Sequence, residues 1–213
     1  MEPPPAHPVR PVLAVVSGGP GTGKTTLARL LAAELGCPAL IRDEIKQGLV
    51  LGAPDHRAGP GDPLDRVALR AFFDTVATLV LAGVTVVAEA AYQDRLWRPN
   101  LAPLVPAARI RVVRCTTAAS VAYDRITTRA HHDPHRAAHA DAAFLADLDA
   151  GRRALDAFDP ISLDVPTLTV DTSPHTSSHT SSHASSHTSP HAYDPPLTQI
   201  ADFLRGGAGP GPE

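Results

Sequence analysis

The stretch Val12-Leu13-Ala14-Val15-Val16-Ser17-Gly18-Gly19-Pro20-Gly21-Thr22-Gly23-Lys24-Thr25-Thr26 decides how the rest of the chain is read. Val12 to Val16 is a short β-branched apolar run, and beyond Lys24 the residues Leu27, Leu30, Leu31 and Leu35 recur at helical spacing. A strand, a glycine loop and a helix succeed one another. Gly18 to Thr25 match G-x-x-x-x-G-K-[ST] in full, in the strand-to-helix context that the motif's mechanism requires. Glycines permit backbone conformations closed to other residues, so successive N–H groups point inward around a β-phosphate while the helix N-terminus adds positive partial charge. Gly18, Gly19, Pro20, Gly21, Thr22, Gly23, Lys24, Thr25 and Thr26 are the expected nucleotide-binding residues. Lys24 is expected on the β- and γ-phosphate oxygens of ATP, and the Thr25 hydroxyl on Mg²⁺.

Outward from this loop, further strands are expected at Pro38 to Ile41, Gly83 to Ala88, Arg109 to Cys115 and Pro166 to Val170. All but the first of these are β-branched runs without clean alternation, which suits strands covered on both faces. Helical patterns at Leu64 to Ala82, Asp94 to Leu104, Ala118 to Ala130 and Asp141 to Phe158 lie between them, with Pro196 to Leu204 closing the chain. Strands alternating with helices pair in parallel through right-handed crossovers, so the fold class is α/β. Gly52 to Pro63 offers turn formers and almost no apolar anchor, and reads as a mobile loop.

A chain of 213 residues is expected to make one domain, here residues 11–173. Its 22 Pro and 15 Gly cluster at the ends and near residue 60, so residues 1–10 and 206–213 read as disordered tails. Between His175 and His191 the sequence repeats every four residues as HTSS, HTSS, HASS and HTSP. Residues 174–192 therefore read as a low-complexity insertion before a C-terminal helix at 193–205, either a spacer or a collector of transition metal. The net charge of −3 argues against bulk attraction to nucleic acid or an anionic membrane. The longest apolar stretch, Val76 to Ala88, stops at Glu89, short of the roughly 20 residues that cross a bilayer. The proline-rich start MEPPPAHPVRP lacks the apolar stretch of a secretory signal, and Cys37 and Cys115 stand in no metal or redox spacing, so a cytoplasmic location is expected.

The loop GGPGTGKTT, followed by Ile41-Arg42-Asp43-Glu44-Ile45-Lys46, resembles the small P-loop kinase or AAA-type ATP-binding group that includes phage-type polynucleotide kinase, zeta toxin and chloramphenicol phosphotransferase. The resemblance runs from Val12 to Ser173. It implies a three-layer sandwich with a five-stranded parallel sheet in the order 2-3-1-4-5. It implies also that Asp43 is the base for an acceptor hydroxyl and that Lys46 holds the acceptor, where the polynucleotide kinase pattern has Arg and its bidentate fork. Asp43 has a second reading as the N-cap of a helix starting at Glu44. Glu89, ending the third strand, is expected to act through the Mg²⁺ waters or to take the acceptor's proton itself.

After the fourth strand, Arg125 and Arg129 are four apart on one helix face, with Arg136 in the adjoining loop. They resemble the arginine-bearing lid of the same kinases, which stabilises charge on the moving phosphoryl group; a solvated cationic face is the other reading. His131, His132, His135 and His139 accompany them as acceptor contacts, a pH-sensitive lid or a zinc set. Asp171-Thr172-Ser173 is either a nucleotide contact or a plain turn. The expectation is an ATP- and Mg²⁺-dependent kinase acting on a small-molecule or nucleic-acid hydroxyl, with no membrane and no obligate protein partner. A nucleotide-driven switch or ATPase module is the alternative, and the acceptor stays open among a sugar, a nucleoside, an antibiotic and a nucleic-acid 5′-hydroxyl.

Overall fold

The computed structural model describes residues 10–53, 55–59, 61–132, 138–174 and 193–207. Residues 1–9, 175–192 and 208–213, which hold most of the expected tails and the histidine repeat, lie outside the described residues, as do His135 and Arg136 and the side chains of His131 and His132. The described chain folds as one parallel sheet of β1 (Val12–Gly18), β2 (Ala39–Ile41), β3 (Val86–Glu89), β4 (Arg109–Thr116) and β5 (Thr167–Asp171), in the order β2-β3-β1-β4-β5. That is the expected α/β class and the expected order.

Every residue of β1 is buried, because helices cover both faces of the sheet. Alternation along the strand then sorts its side chains. Val12, Ala14 and Val16 join a core with Leu27, Leu31, Ile200 and Leu204 of α1 (Lys24–Leu35) and α7 (Leu197–Arg205). Leu13 and Val15 join the opposite core, with Phe72, Val76 and Trp97 of α3 (Pro63–Leu81) and α4 (Asp94–Leu101). Apolar side chains stripped of water on both faces are the main force holding the sheet, at about 25 cal/mol per Å² of apolar area. No helix among the described residues is long and apolar enough to cross a membrane.

The register fixes where chemistry collects. Val16 pairs with Glu89 and Ile41 pairs with Glu89, so β1, β2 and β3 end at one sheet edge. The glycine loop, the start of α2 (Arg42–Leu51) and Glu89 all emerge there. α5 (Ala119–His132) and α6 (Asp141–Asp149) come after β4 on the same side of the cleft.

Three element assignments differ from the sequence expectation. The helix α2 was expected only in the reading of Asp43 as an N-cap, with a start at Glu44, and it begins at Arg42. α6 stops at Asp149 instead of reaching Phe158, because Gly151 takes a left-handed φ of 66°. Asp43 is not an N-cap: Ile41 holds that position without a side-chain hydrogen bond, and Asp43 lies in the first turn.

Candidate active site

The glycine loop closes on itself before any ligand is considered. The Thr22 hydroxyl donates to the Gly19 carbonyl at 2.8 Å, and Lys24 Nζ donates to the same oxygen at 3.2 Å. Gly21 has φ 76°, and a Cβ there would stand 2.5 Å from the Ala122 carbonyl oxygen, a contact side chains do not make. Gly23, also left-handed, is the N-cap of α1, with no side-chain cap and no acidic residue in the first turn. The helix N-terminus is thus left to an anion from outside the chain.

Lys24 and Thr25 meet Glu89 across the strand ends. Thr25 Oγ1 donates to Glu89 Oε2 at 2.9 Å, and Lys24 Nζ lies 3.9 Å from Glu89 Oε1. Burial raises the Glu89 carboxyl above its ordinary value; Lys24 and the Thr25 hydrogen bond oppose the rise, and Asp43 adds to it. A hydroxyl and a carboxylate side by side are hard oxygen donors of the kind Mg²⁺ prefers. Among the described residues no group of three or more His, Cys, Asp or Glu is placed to hold a metal by itself. Cys115 lies close behind Gly18, and burial pushes its thiol up to about 12, so it stays protonated and unreactive.

The structure anchors Arg125 at the nucleotide end of the cleft. It donates to the Gly21 carbonyl at 3.3 Å, to Thr172 Oγ1 at 3.1 Å and to the Thr172 carbonyl at 2.6 Å. Thr172 is buried and donates its own hydroxyl proton to the Thr22 carbonyl at 2.8 Å. The segment after β5 is therefore tied to the glycine loop by a side chain of the triplet that the sequence offers as either a nucleotide contact or a plain turn. Arg129 sits further along the cleft, with Nε 3.5 Å from Asp141 Oδ2. His139 places Nδ1 4.0 Å from Asp43 Oδ1.

At the other end, Asp43 is partly exposed, its carboxylate 3.2 Å from the Arg42 guanidinium. Arg42 also reaches Asp65, and its Nε donates to the Tyr92 hydroxyl at 3.0 Å. Lys46 is buried, with Nζ 2.8 Å from both Asp62 and Asp65. Asp62 in turn accepts from the Leu64 amide at 2.9 Å, capping α3, and lies 2.8 Å from His56 Nε2. Burial would raise the Asp62 carboxyl, but the bonds from Lys46, the Leu64 amide and His56 outweigh it and hold the group down to about 2. Four of these residues, Arg42, His56, Asp62 and Asp65, are absent from the sequence-based site. The Asp-Pro start of α3 was a visible capping signal for Asp62; nothing local marked the others.

One cleft of about 1020 Å³ contains both ends, lined by the loop residues Pro20 to Thr26 with the exception of Thr22, by Asp43, Lys46 and Asp65, and by Arg125, Arg129 and His139. Of the predicted site residues, Lys24, Thr25, Asp43, Lys46, Arg125 and Arg129 are brought together in it. Glu89 lies beneath, joined through Thr25.

A family model described as AAA domain matches residues 13–160. A protein from Chloroflexus aurantiacus described as a kinase shares the fold with TM-score 0.72 and 23% identity, over 94% of this chain and 100% of that one. The protein APE1195 matches with TM-score 0.53 and 16% identity, over 92% of this chain and 96% of its own. A chain of the Pnkp1/Rnl/Hen1 RNA repair complex matches with TM-score 0.50 and 17% identity, over 73% of this chain and 50% of that one. No curated protein matches the sequence. At these identities the likeness is one of fold: a P-loop, nucleotide-kinase-like α/β sandwich.

Proposed function

The chain belongs to the AAA-domain family, and from that membership together with the cleft we propose that it is an ATP-dependent kinase, moving the γ-phosphoryl group of ATP to a hydroxyl held beside Asp43. The observation that carries this reading is the joint opening of two unlike sets of residues into one cleft. Lys24, Thr25 and the bare α1 N-terminus suit phosphate at one end, and a partly exposed carboxylate faces the other.

Thr25, with Glu89 behind it, would hold Mg²⁺, which when bound neutralises charge on the β- and γ-phosphate oxygens. Lys24 supplies positive charge to the same oxygens, and its 3.2 Å bond to Gly19 keeps the ammonium over the loop. Asp43 takes the hydroxyl proton as the acceptor oxygen bonds to the γ-phosphorus. The bond from that phosphorus to the β–γ bridging oxygen breaks, and ADP leaves with its electron pair. Arg129 would have to leave Asp141, 3.5 Å away, to meet charge building on the moving group, while Arg125, held by Thr172 and Gly21, would keep the nucleotide end shaped.

The test is transfer of label from γ-labelled ATP to a pooled set of hydroxyl compounds and 5′-hydroxyl oligonucleotides. Labelled product that depends on both acceptor and Lys24 is the expected result. ATP hydrolysis at one rate with and without every acceptor would instead favour an ATPase module.

A further inference from the structure

We infer that the acceptor is a hydroxyl-rich small molecule carrying no negative charge, neutral or aminated, and that phosphorylated, carboxylated and nucleic-acid acceptors are excluded. This rests on the kinase reading above and names the substrate class of the same cleft.

Among the described residues, the cations lining the cleft are Lys24, Arg29, Lys46, Arg125, Arg129 and Arg153. Lys24 and Arg125 belong to the nucleotide end, both bonded to carbonyls of the glycine loop. Each of the other four faces a carboxylate of the protein itself. Arg29 pairs with Glu44, Lys46 with Asp62 and Asp65, Arg129 with Asp141, and Arg153 with Asp147 at 3.2 Å. Arg42, behind the wall, pairs with Asp43 and Asp65.

Among the described residues, an anionic acceptor that recruits Arg29, Lys46, Arg129 or Arg153 competes with a carboxylate already paired to that cation. At Lys46 the displacement is worst: the Asp62 side chain is 1% exposed, and losing the ammonium leaves its buried charge with only the Leu64 amide and His56 as partners. A nucleic-acid strand needs several cations at once along its backbone, which multiplies the difficulty. The resemblance that places Lys46 on the acceptor thus meets a lysine whose charge is already satisfied within the protein.

The carboxylates of this wall have the opposite character. Asp43 and Asp65 both line the cleft, with side chains 39% and 45% exposed. An ionised carboxylate accepts hydrogen bonds and donates none, so this wall selects ligands that present O–H or N–H groups. In this network the three carboxylates Asp43, Asp62 and Asp65 face two cations, Arg42 and Lys46, so a ligand bringing negative charge of its own is disfavoured. Vicinal hydroxyls and ammonium groups satisfy both conditions.

Transfer from γ-labelled ATP is measured on matched panels: neutral sugars and polyols, amino sugars and aminoglycosides, sugar phosphates, sugar acids, and 5′-hydroxyl oligonucleotides. Labelled product from the first two classes alone is expected; faster labelling of any anionic class overturns the inference. A second measurement does not depend on turnover. With the nucleotide site filled by a non-hydrolysable ATP analogue and Mg²⁺, inorganic phosphate and glucose 6-phosphate are titrated against thermal stability, with chloride matching the ionic strength. No rise in midpoint supports the inference, and a saturable rise overturns it. If no acceptor of any charge is labelled although nucleotide binds, the kinase reading fails, and the phosphate titration still decides whether the cleft admits anions.

Discussion

Replacing Lys46 with Met separates two roles for one cation. If Lys46 serves the acceptor, its loss leaves the fold alone and raises the acceptor KM. The structure gives the opposite expectation. The Lys46 side chain is 4% exposed and that of Asp62 is 1% exposed, with 2.8 Å between the charged atoms and a second 2.8 Å contact to Asp65. Removing one partner of a buried pair costs about 3 to 5 kcal/mol, because the other charge stays buried without compensation. A domain of this size loses roughly 2 to 4 °C of midpoint per kcal/mol, so Lys46→Met should melt about 6 to 20 °C lower in differential scanning calorimetry. Adding Asp62→Asn should recover much of the loss, since Asn removes the stranded charge and still caps α3 through Leu64. The pH dependence has a definite sign. Asp62 is held down to about 2, so its pairing stabilises the fold above the ordinary aspartate range and is lost as pH falls through that value. The gap between wild type and Lys46→Met should therefore narrow between about pH 4 and pH 2. A midpoint within about 2 °C of wild type at neutral pH, the size of an ordinary surface change, would refute the buried-pair argument.

Gly21→Ala puts a Cβ 2.5 Å from the Ala122 carbonyl at a left-handed φ of 76°, whereas Gly36→Ala meets nothing within 4 Å at φ 67°. Both should lose the roughly 1 to 2 kcal/mol of the left-handed backbone, but only Gly21→Ala should weaken nucleotide binding, read with a fluorescent ATP analogue. Asp43→Asn should keep nucleotide affinity and lower phosphoryl transfer on the order of 10² to 10⁴; transfer near the wild-type rate would remove Asp43 as the base. Glu89→Gln should be catalytically impaired yet more heat-stable than wild type without nucleotide. Burial raises the Glu89 carboxyl, so its ionisation costs stability as pH rises through the raised value, and the advantage of Gln should grow from acid toward neutral pH. Melting curves that run parallel across that range would count against a buried, ionising Glu89.

The nucleotide half of the cleft was legible because its signals are local. Glycines that need left-handed backbone, a lysine and a hydroxyl sit within eight consecutive residues, and β1 announces itself by composition. The parallel order brought Glu89 beside them as expected, since register alone aligns the ends of β1, β2 and β3. The end of α6 had a local signal too, Gly151 just past its last turn, which the apolar pattern running on to Phe158 obscured. Beyond that glycine the chain runs back over the loop, with the Leu155 carbonyl 3.5 Å from where a Gly19 Cβ would stand.

The acceptor half was not legible for a different reason. Helix detection by apolar period looks for a buried stripe, and the one buried residue of α2 is Lys46. Besides Ile45 against the core, α2 is fastened by ion pairs: Arg42 and Lys46 reach Asp65 and Asp62 at the start of α3, across the loop that the sequence presents as having almost no apolar anchor. That loop does have anchors, His56 and Asp62, joined at 2.8 Å. Charges at residues 42, 46, 62 and 65 and a histidine at 56 are plain in the sequence, but solvated side chains and a closed network have the same composition. Only the pairing distinguishes them, and it gives Lys46, read from the sequence as an acceptor contact, two carboxylate partners within the protein. The residues that suit a nucleotide are consecutive, whereas the charges that cancel around Lys46 come from separate elements, and cancellation is a property of the folded chain.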